Sequence, residues 1–312
     1  MDHAPIFLFE VMHMYTILNI GSLNVDHVYT VDHFVQAGET QSSLGYHVFP
    51  GGKGLNQSVS LSKAGAHVMH AVTVGEDGMW LEELLRSNGV DTSLMRQTDV
   101  PNGKAIIQVD RNGQNCILLY AGSNACLTAE YLREVMDSCP SDTCVLMQNE
   151  LNVLPEIIDI AREHGFLTVL NPSPANEKVL ECDLSKVDCL IMNEIEGAYI
   201  SGKSEYTEIL DWFKENYPRT KLILTLGTDG AYYQHNGEVC FQEAFRVNAV
   251  DTTAAGDTFT GYVITELLGG SDVGTAMRMA SAASAICVTE NGAAVSIPCR
   301  DKVLSFLSEK GE

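Results

Sequence analysis

The residues with the clearest potential for chemistry lie in the stretch DTTAAGDTFTG at 251–261. A helix beginning near Ala255 or Gly256 would aim its free backbone amides at one point, and that point attracts anions. The small residues Ala254, Ala255 and Gly256 leave room there for a phosphoryl group. An acid at this point would repel the anion, so helix capping explains Asp257 poorly. Asp257 suits a general base that takes a proton from an attacking hydroxyl.

A second candidate site is the stretch GGKGLNQ at 51–57. Its glycines allow close backbone approach, and the helix that follows presents free amides. Lys53 and Asn56 could hydrogen-bond a ligand that carries several hydroxyls. The pattern is neither a P-loop nor a dinucleotide-binding fingerprint. A plain turn into a helix remains an alternative interpretation.

Polar residues also follow the predicted strands. Asn24 and Asp26 alternate in GSLNVD, and Glu150 closes the strand in TCVLMQNE. Asn and Asp can form paired hydrogen bonds to vicinal hydroxyls, which suits a sugar. An Asx turn at a strand end would explain the first pair equally well.

Two further stretches fit a nucleotide and its metal ion. In NEIE, Asn193 and Glu196 lie three residues apart and could hold the water shell of Mg²⁺. Capping of a helix start, where the helix dipole favours acids, is the alternative. The stretch TLGTDG at 225–230 predicts a strand and a glycine-rich turn that could run beside a nucleotide.

These residues require a fold that gathers strand ends. Apolar runs alternate with helical patterns along most of the chain, as in the strand predicted for YTILNIG and the helix predicted for 54–66. HVMHAVTVG at 67–75 predicts one strand, and 77–89 predicts a helix capped by Asp77. This alternation predicts an α/β fold with three layers, in which helices cover both faces of a mostly parallel sheet. Ligands of such sheets bind beyond the carboxyl ends of the strands.

Two segments interrupt that alternation. Residues 28–49 and 103–120 predict extended, hairpin-like strands without an intervening helix. We expect them to form a small β-sheet that projects from a single domain over 14–312 as a lid or a dimer contact. Residues 1–13 are expected to be an extension or a tag, with Met14 a natural start.

Composition limits the possible partners. The 312 residues are 45% hydrophobic and carry a formal net charge of −22, which disfavours nucleic acid as a partner. Nine cysteines without a Cys-x-x-Cys pair indicate a reducing cytoplasm. The apolar first residues lack the layout of a membrane span or a signal peptide.

Taken together, GGKGLNQ and DTTAAGDTFTG resemble the two signature motifs of the ribokinase-like sugar kinase family. The resemblance runs in order from about residue 15 to 308, through SLNVD, NPSP and NGAAVSIP. It implies ATP-dependent phosphorylation of a sugar hydroxyl, with O5 of D-ribose the expected acceptor. It also implies Mg²⁺ and K⁺ as cofactors, and a homodimer that pairs through the lid.

The resemblance implies a role for each candidate residue. Asp257 would be the base, and the amides of Ala254, Ala255 and Gly256 would form an anion hole. The sugar would be held by Asn24, Asp26, Gly52, Lys53, Asn56 and Glu150. Mg²⁺ and the nucleotide would lie against Asn193, Glu196, Thr225, Leu226, Gly227, Thr228, Asp229 and Gly230. A monovalent cation would be held, partly by backbone carbonyls, at Asp251, Thr253, Cys287, Glu290, Gly292 and Ser296.

Three alternatives remain at this stage. The acceptor could be another sugar, such as deoxyribose or fructose, or a nucleoside. The chain could be a catalytically silent sugar-binding regulator, although Asp257 and the Ala-Ala-Gly turn are both present. A nicotinamide-dependent oxidoreductase would need a G-x-G-x-x-G turn after the first strand, which the sequence lacks.

Overall fold

A computed structural model describes residues 15–311 of the chain. The predicted extension at 1–13 and the suggested start at Met14 lie outside the described residues. In chain order the strands are β1 (Thr16–Ile20), β2 (Asn24–Thr30), β3 (Gly45–Gly51), β4 (His67–Ala71), β5 (Thr73–Gly75), β6 (Arg96–Thr98), β7 (Gly103–Val109), β8 (Asn115–Tyr120), β9 (Thr143–Gln148), β10 (Leu167–Asn171), β11 (Cys189–Asn193), β12 (Lys221–Thr225), β13 (Ala231–His235) and β14 (Glu238–Gln242).

The helices connect and flank these strands. They are α1 (Lys53–Ala64), α2 (Met79–Ser87), α3 (Ala129–Asp137), α4 (Leu154–Glu163), α5 (Glu177–Leu180), α6 (Glu194–Ser201), α7 (Tyr206–Asn216), α8 (Ala255–Leu268), α9 (Val273–Cys287) and α10 (Arg300–Glu309). Gly65 closes α1 with a left-handed backbone, as the helix predicted for 54–66 requires.

The main sheet has the strand order β14-β13-β12-β11-β10-β9-β1-β4. Its neighbours from β12 through β4 pair in parallel, and β13 and β14 add an antiparallel edge. Within the main sheet, the parallel strands β1, β9, β10, β11 and β12 are apolar and mostly buried, as expected for a sheet covered on both faces. The predicted fold class is confirmed. Because the parallel strands point the same way, their carboxyl ends share one edge.

The smaller sheet has the order β3-β2-β7-β8. Most of its residues come from the predicted segments 28–49 and 103–120, although β2 begins before the first segment and β3 ends after it. β2 begins at Asn24, and β3 ends at Gly51, directly before α1. The small sheet is therefore joined to the main domain at two of the predicted sugar motifs.

Two local predictions are wrong. The strand predicted for 67–75 breaks at Val72 into β4 and β5, which pair in different sheets. Asp77 does not cap α2, because that helix begins after a short 3₁₀ turn at Glu76–Gly78. Asp77 instead accepts a hydrogen bond from the amide of Asn102 at 2.7 Å and pairs with Lys104 at 2.9 Å. Asp77 therefore interacts with residues that are distant in sequence and not with the start of the helix.

Candidate active site

Helix α8 begins at Ala255, where the sequence predicts the anion site. The residue before it, Ala254, has a left-handed backbone with φ 63°, which is uncommon for a residue other than glycine. The first amides of a helix have no intrahelical acceptor. That of Ala255 donates at 3.3 Å to the carbonyl of Thr252, and the amides that follow it in the first turn face the site of a ligand. Strained backbone of this kind is often found where a binding site requires it.

Helices α1 and α8 bring the two signature motifs together. Asn56 donates from Nδ2 to Oδ2 of Asp257 at 3.0 Å, and Gln57 donates from Nε2 to Oδ1 at 2.9 Å. Asp257 is 7% exposed, and Oδ1 of Asn56 has no hydrogen-bond partner within residues 15–311. A buried acceptor without a partner is costly, so this oxygen is suited to a ligand hydroxyl.

Glu150 lies at the entrance to α1. Its carboxylate accepts hydrogen bonds from the hydroxyl of Ser22 and from the amide of Lys53, the latter at 2.9 Å. The side chain of Lys53 is surrounded by negative charge. Burial alone would lower the pKa of Lys53, but nearby carboxylates outweigh burial and raise it. These carboxylates belong to Asp257, Glu150 and Glu196. Lys53 therefore carries a positive charge inside the site.

Asp26 and Asn24 lie on β2 beside the end of β3. Burial, together with the charge of Glu150, raises the pKa of Asp26 to about 7. The Asp26 carboxylate covers Gly51, where a Cβ would lie 2.1 Å from its Oδ2. Asn24 accepts a hydrogen bond at Oδ1 from Nδ2 of Asn124 at 2.8 Å. The structure thus brings the sugar candidates to one junction between the sheets.

Two cavities meet at the start of α8. The larger, about 580 Å³, lies beside the turn after β12 and the segment 244–249. The smaller, about 230 Å³, contains Lys53 and Asp257. The walls of both cavities include Thr225, Thr252, Ala255 and Gly256. A group bound at the first turn of α8 would therefore lie between the larger cavity and the Asp257 carboxylate.

Most of the predicted nucleotide residues line the larger cavity, namely Thr225, Gly227, Thr228, Asp229 and Gly230. Leu226 packs against the hydrophobic core instead. Among the predicted sugar residues, Lys53 lines the smaller cavity, and the linings of the two cavities contain none of the others, which are Asn24, Asp26, Gly52, Asn56 and Glu150. Gly52 is the N-terminal flanking residue of α1, with φ 95°.

Asn193 and Glu196 form a capping box at the start of α6. Oδ1 of Asn193 accepts from the amide of Glu196 at 2.9 Å, and Oε2 of Glu196 accepts from the amide of Asn193 at 3.0 Å. Both residues also line the smaller cavity. The capping interpretation is therefore confirmed, and the cap engages the single side-chain oxygen of Asn193 and one of the two carboxylate oxygens of Glu196.

The predicted cation residues gather around the loop after α9. Asp251 accepts at Oδ1 from the amide of Thr253 and at Oδ2 from the amide of Gly292, both at 2.9 Å. Burial opposes these hydrogen bonds, yet they prevail and lower the pKa of Asp251. Sγ of Cys287 lies 3.0 Å from Oγ of Ser296, and burial raises the pKa of this thiol.

The carboxylate of Glu290 points away from this loop. It pairs with Lys302 at 2.6 Å and is half exposed. The side chain of Glu290 is therefore not part of the predicted cation site.

Three partners of the site residues were assigned no role by sequence reasoning. Gln57 donates to Asp257, Ser22 contacts Glu150, and Asn124 contacts Asn24. Gln57 ends the GGKGLNQ motif, which was a usable signal. Asn124 has no such signal, because it lies in a short 3₁₀ helix, 100 residues along the chain from its partner.

A family model for "pfkB family carbohydrate kinase" matches residues 14–300. The chain belongs to the pfkB family of carbohydrate kinases. This assignment confirms the family inferred from the motifs, and the protein is an ATP-dependent carbohydrate kinase of the ribokinase-like type.

Similar proteins cover almost the whole chain. A ribokinase from Haemophilus influenzae is 35% identical over 94% of this chain and 98% of its own. A deoxyribokinase from Salmonella typhimurium is 30% identical over 93% of this chain and 97% of its own. The structure of Arabidopsis thaliana ribokinase complexed with ribose and ATP has a TM-score of 0.81 and 25% identity, over 94% of this chain and 99% of that one. Within residues 15–311, no helix is long and apolar enough to cross a bilayer.

Proposed function

We propose that this kinase transfers the γ-phosphoryl group of ATP to O5 of D-ribose, forming D-ribose 5-phosphate and ADP. One observation carries the proposal: the Asp257 carboxylate lies in a sugar-sized cavity whose wall is shared with a larger cavity at the start of α8. Likeness to ribokinases supports ribose as the acceptor. Likeness to a deoxyribokinase makes 2-deoxyribose the second candidate.

In this mechanism Asp257 takes the proton of the O5 hydroxyl as O5 attacks the γ-phosphorus. The bond from phosphorus to the β,γ-bridging oxygen breaks, and ADP leaves with that electron pair. The amides of Ala254, Ala255 and Gly256 stabilise charge on the transferring group. Positioning and charge stabilisation account for most of the catalysis in such transfers.

In this proposal the sugar lies beside Asp257 and partly in the smaller cavity, where Lys53 donates to one hydroxyl. Asn56, which is not part of the lining of that cavity, accepts another hydroxyl at its unpaired Oδ1. Asp26 and Glu150 accept hydroxyls at the junction of the two sheets, with Asn24 donating from its side-chain amide. Gly52 contributes its backbone.

The nucleotide occupies the larger cavity along Thr225, Gly227, Thr228, Asp229 and Gly230. Mg²⁺, when bound, neutralises phosphate charge. Asn193 and Glu196 fit a water-mediated Mg²⁺ site, because Mg²⁺ keeps several waters and needs few protein oxygens. A direct site fits less well, since the capping box engages one oxygen of each side chain.

A monovalent cation fits the loop around Asp251. The ionised carboxylate and the backbone carbonyls of Thr253 and Cys287 supply the oxygen ligands that hard cations prefer. Gly292, Ser296 and the backbone of Glu290 complete the loop. Because this loop lies next to Ala254, K⁺ would shape the anion hole.

The protein also forms a homodimer through the smaller sheet, in this proposal. β8 is an edge strand, and its side chains Ile117, Leu118, Leu119 and Tyr120 are each more than half exposed. Exposed apolar edge strands invite pairing with another chain. The nine free cysteines suit a reducing cytoplasm.

A coupled ADP-release assay tests the function. The assay supplies Mg-ATP with D-ribose, 2-deoxyribose, fructose, adenosine or uridine, each with and without K⁺. We expect turnover of ribose that rises with K⁺. In Asp257→Ala, kcat should fall by about 10²- to 10⁴-fold, the range for loss of a general base.

Turnover of another acceptor with ribose inert would overturn the substrate and keep the kinase. Ribose binding without turnover, measured by calorimetry, would instead indicate a silent sugar-binding protein. Wild-type kcat in Asp257→Ala would overturn the assignment of the base.

A further inference from the structure

A buried chain of amide side chains leads from the centre of the sheet to Asp257. Asn19, Gln57 and Gln148 are 0% exposed. Gln148 donates from Nε2 to Oδ1 of Asn19 at 3.0 Å and to Oε1 of Gln57 at 2.7 Å. Gln57 in turn donates from Nε2 to Oδ1 of Asp257 and to Oδ1 of Asn171. Nothing in the proposed mechanism uses these amides directly.

The direction of this chain is fixed at both ends by backbone carbonyls, which can only accept. At one end, Asn19 donates from Nδ2 to the carbonyl of Gly54 at 2.8 Å. At the other, Asn171 donates from Nδ2 to the carbonyl of Ile191 at 2.7 Å. The oxygens of Asn19, Gln57 and Asn171 therefore each face a donor, whereas Oε1 of Gln148 has no partner within residues 15–311. Flipping Gln57 would face its oxygen toward two acceptors and its nitrogen toward the nitrogen of Gln148.

The chain extends beyond Asn19 to a buried histidine. Asn19 also donates to Oγ of Ser58 at 2.8 Å, and Ser58 lies 2.8 Å from Nδ1 of His70. Nε2 of His70 faces the carbonyl of Gly21 at 3.1 Å, so Nε2 carries the proton and Nδ1 accepts from Ser58. Burial lowers the pKa of His70 to about 4, which keeps the ring neutral at pH 7.

We infer that Gln57, oriented by Gln148, is a positioning residue for the Asp257 base. Both hydrogens on Nε2 of Gln57 are committed, one to Asp257 and one to Asn171. Gln57 thereby holds Oδ1 in place, while Asn56 holds Oδ2. The carboxylate has one orientation before substrate binds. Preorganisation of this kind acts on kcat, because it removes the cost of orienting the base during transfer.

This inference rests on the proposed function and is tested with the full-length protein. Gln57→Met keeps the length of the side chain and removes both donors. Gln148→Met leaves Gln57 in place but releases its orientation. Thr220→Val is the matched control, since it also deletes a buried hydrogen bond. The hydroxyl of Thr220 donates to the carbonyl of Val187 at 2.9 Å, at the opposite edge of the sheet from Asp257.

In Gln57→Met, kcat should fall about 10- to 100-fold, as expected for loss of a hydrogen bond to a charged group. KM for the sugar and the nucleotide should change by less than about twofold, because neither is contacted. Gln148→Met should lower kcat by a smaller factor, and Thr220→Val should lower the melting temperature with kcat unchanged.

Gln57→Glu provides a second readout. Its carboxyl group would face Asp257, and two close carboxylates share one proton as pH falls. The shared proton restores a donor, so kcat relative to wild type should recover between pH 8 and pH 6. A purely structural role would not produce this dependence.

The outcomes separate the two claims. If wild type phosphorylates no sugar, the proposed function fails, and this inference fails with it. The positioning role alone is overturned by a different result. In that case wild type is active and Asp257→Ala is inactive, but the kcat of Gln57→Met equals that of Thr220→Val. An increase in KM with kcat unchanged in Gln57→Met would also overturn it.

Discussion

At the scale of single residues, the carboxylates of Asp257 and Asp26 lie in different surroundings. Asp257 receives side-chain donors on both oxygens. Asp26 is buried beside the carboxylate of Glu150, and both effects raise its pKa to about 7. Asp26 therefore changes charge close to neutral pH. Its ionised form only accepts hydrogen bonds from a sugar, whereas its protonated form can also donate one.

Sugar affinity should depend on the charge of Asp26. An ionised carboxylate accepts hydrogen bonds more strongly than a neutral one. The dissociation constant for ribose, measured by calorimetry, should therefore fall as pH rises through about 7. In Asp26→Asn the affinity should be weaker, and its change across this pH range should disappear. An unchanged pH dependence in this variant would assign the titration to another group.

The raised pKa of Asp26 also affects the stability of the folded protein. The folded state binds a proton on Asp26 more tightly than the unfolded state, so stability falls as pH rises from about 4 to about 7. Above pH 7 the cost of the buried charge is fully present. Thermal denaturation of Asp26→Asn should show a higher melting temperature than wild type at pH 8, with a smaller difference at pH 5. A larger gain at pH 5 would contradict this sign.

At the scale of elements, the start of α1 positions the sugar motif. Gly52 precedes the helix with φ 95°, and a Cβ there would lie 2.8 Å from the carbonyl oxygen of Ser22. The turn between β1 and β2 therefore packs directly against the helix start. Gly65 ends the same helix with φ 104°, but a Cβ there would meet nothing within 4 Å.

These two glycines form a matched pair of substitutions. Gly65→Ala should cost about 1–2 kcal/mol of stability from left-handed strain alone, with kcat and KM unchanged. Gly52→Ala should cost more than Gly65→Ala and should raise KM for the sugar, because the clash displaces Lys53 and Asn56. Denaturant unfolding and steady-state kinetics measure both effects. Equal effects of the two variants would show that the contact with Ser22 is unimportant.

At the scale of the whole molecule, the smaller sheet is the least covered part of the structure. β8 presents consecutive apolar residues, and Leu118 is 67% exposed. The sheet is joined to the domain at Asn24 and Gly51, which border the sugar site. Pairing of two smaller sheets would therefore cover apolar surface and restrain the sugar junction together.

The proposed dimer can be broken at β8. Leu118→Lys places a charge on the edge strand, so it should shift the protein from dimer to monomer in sedimentation velocity and raise KM for the sugar. Leu304→Lys is the control, since Leu304 is exposed on α10. A wild-type protein that sediments as a monomer at all concentrations would contradict the proposal.

Much of the architecture could be predicted from local pattern. Apolar strand runs, Gly65 at the end of α1 and the small residues before Asp257 specify elements whose signals are contained in neighbouring residues. Fold class and family followed from them. Asp77 shows the limit, because it had a local role as a cap and took partners 25 and 27 residues away instead.

The environment of the base was decided only by tertiary structure. Asn56 and Gln57 lie 201 and 200 residues before Asp257. Neither motif contains a local signal that predicts contact with the other. The orientation of Gln57 depends on backbone carbonyls of Gly54 and Ile191, through two further amides. A sequence shows which groups can donate and accept. Only the packing of α1 against α8 and the sheet determines which donor faces which acceptor, because buried polar groups must find partners in space.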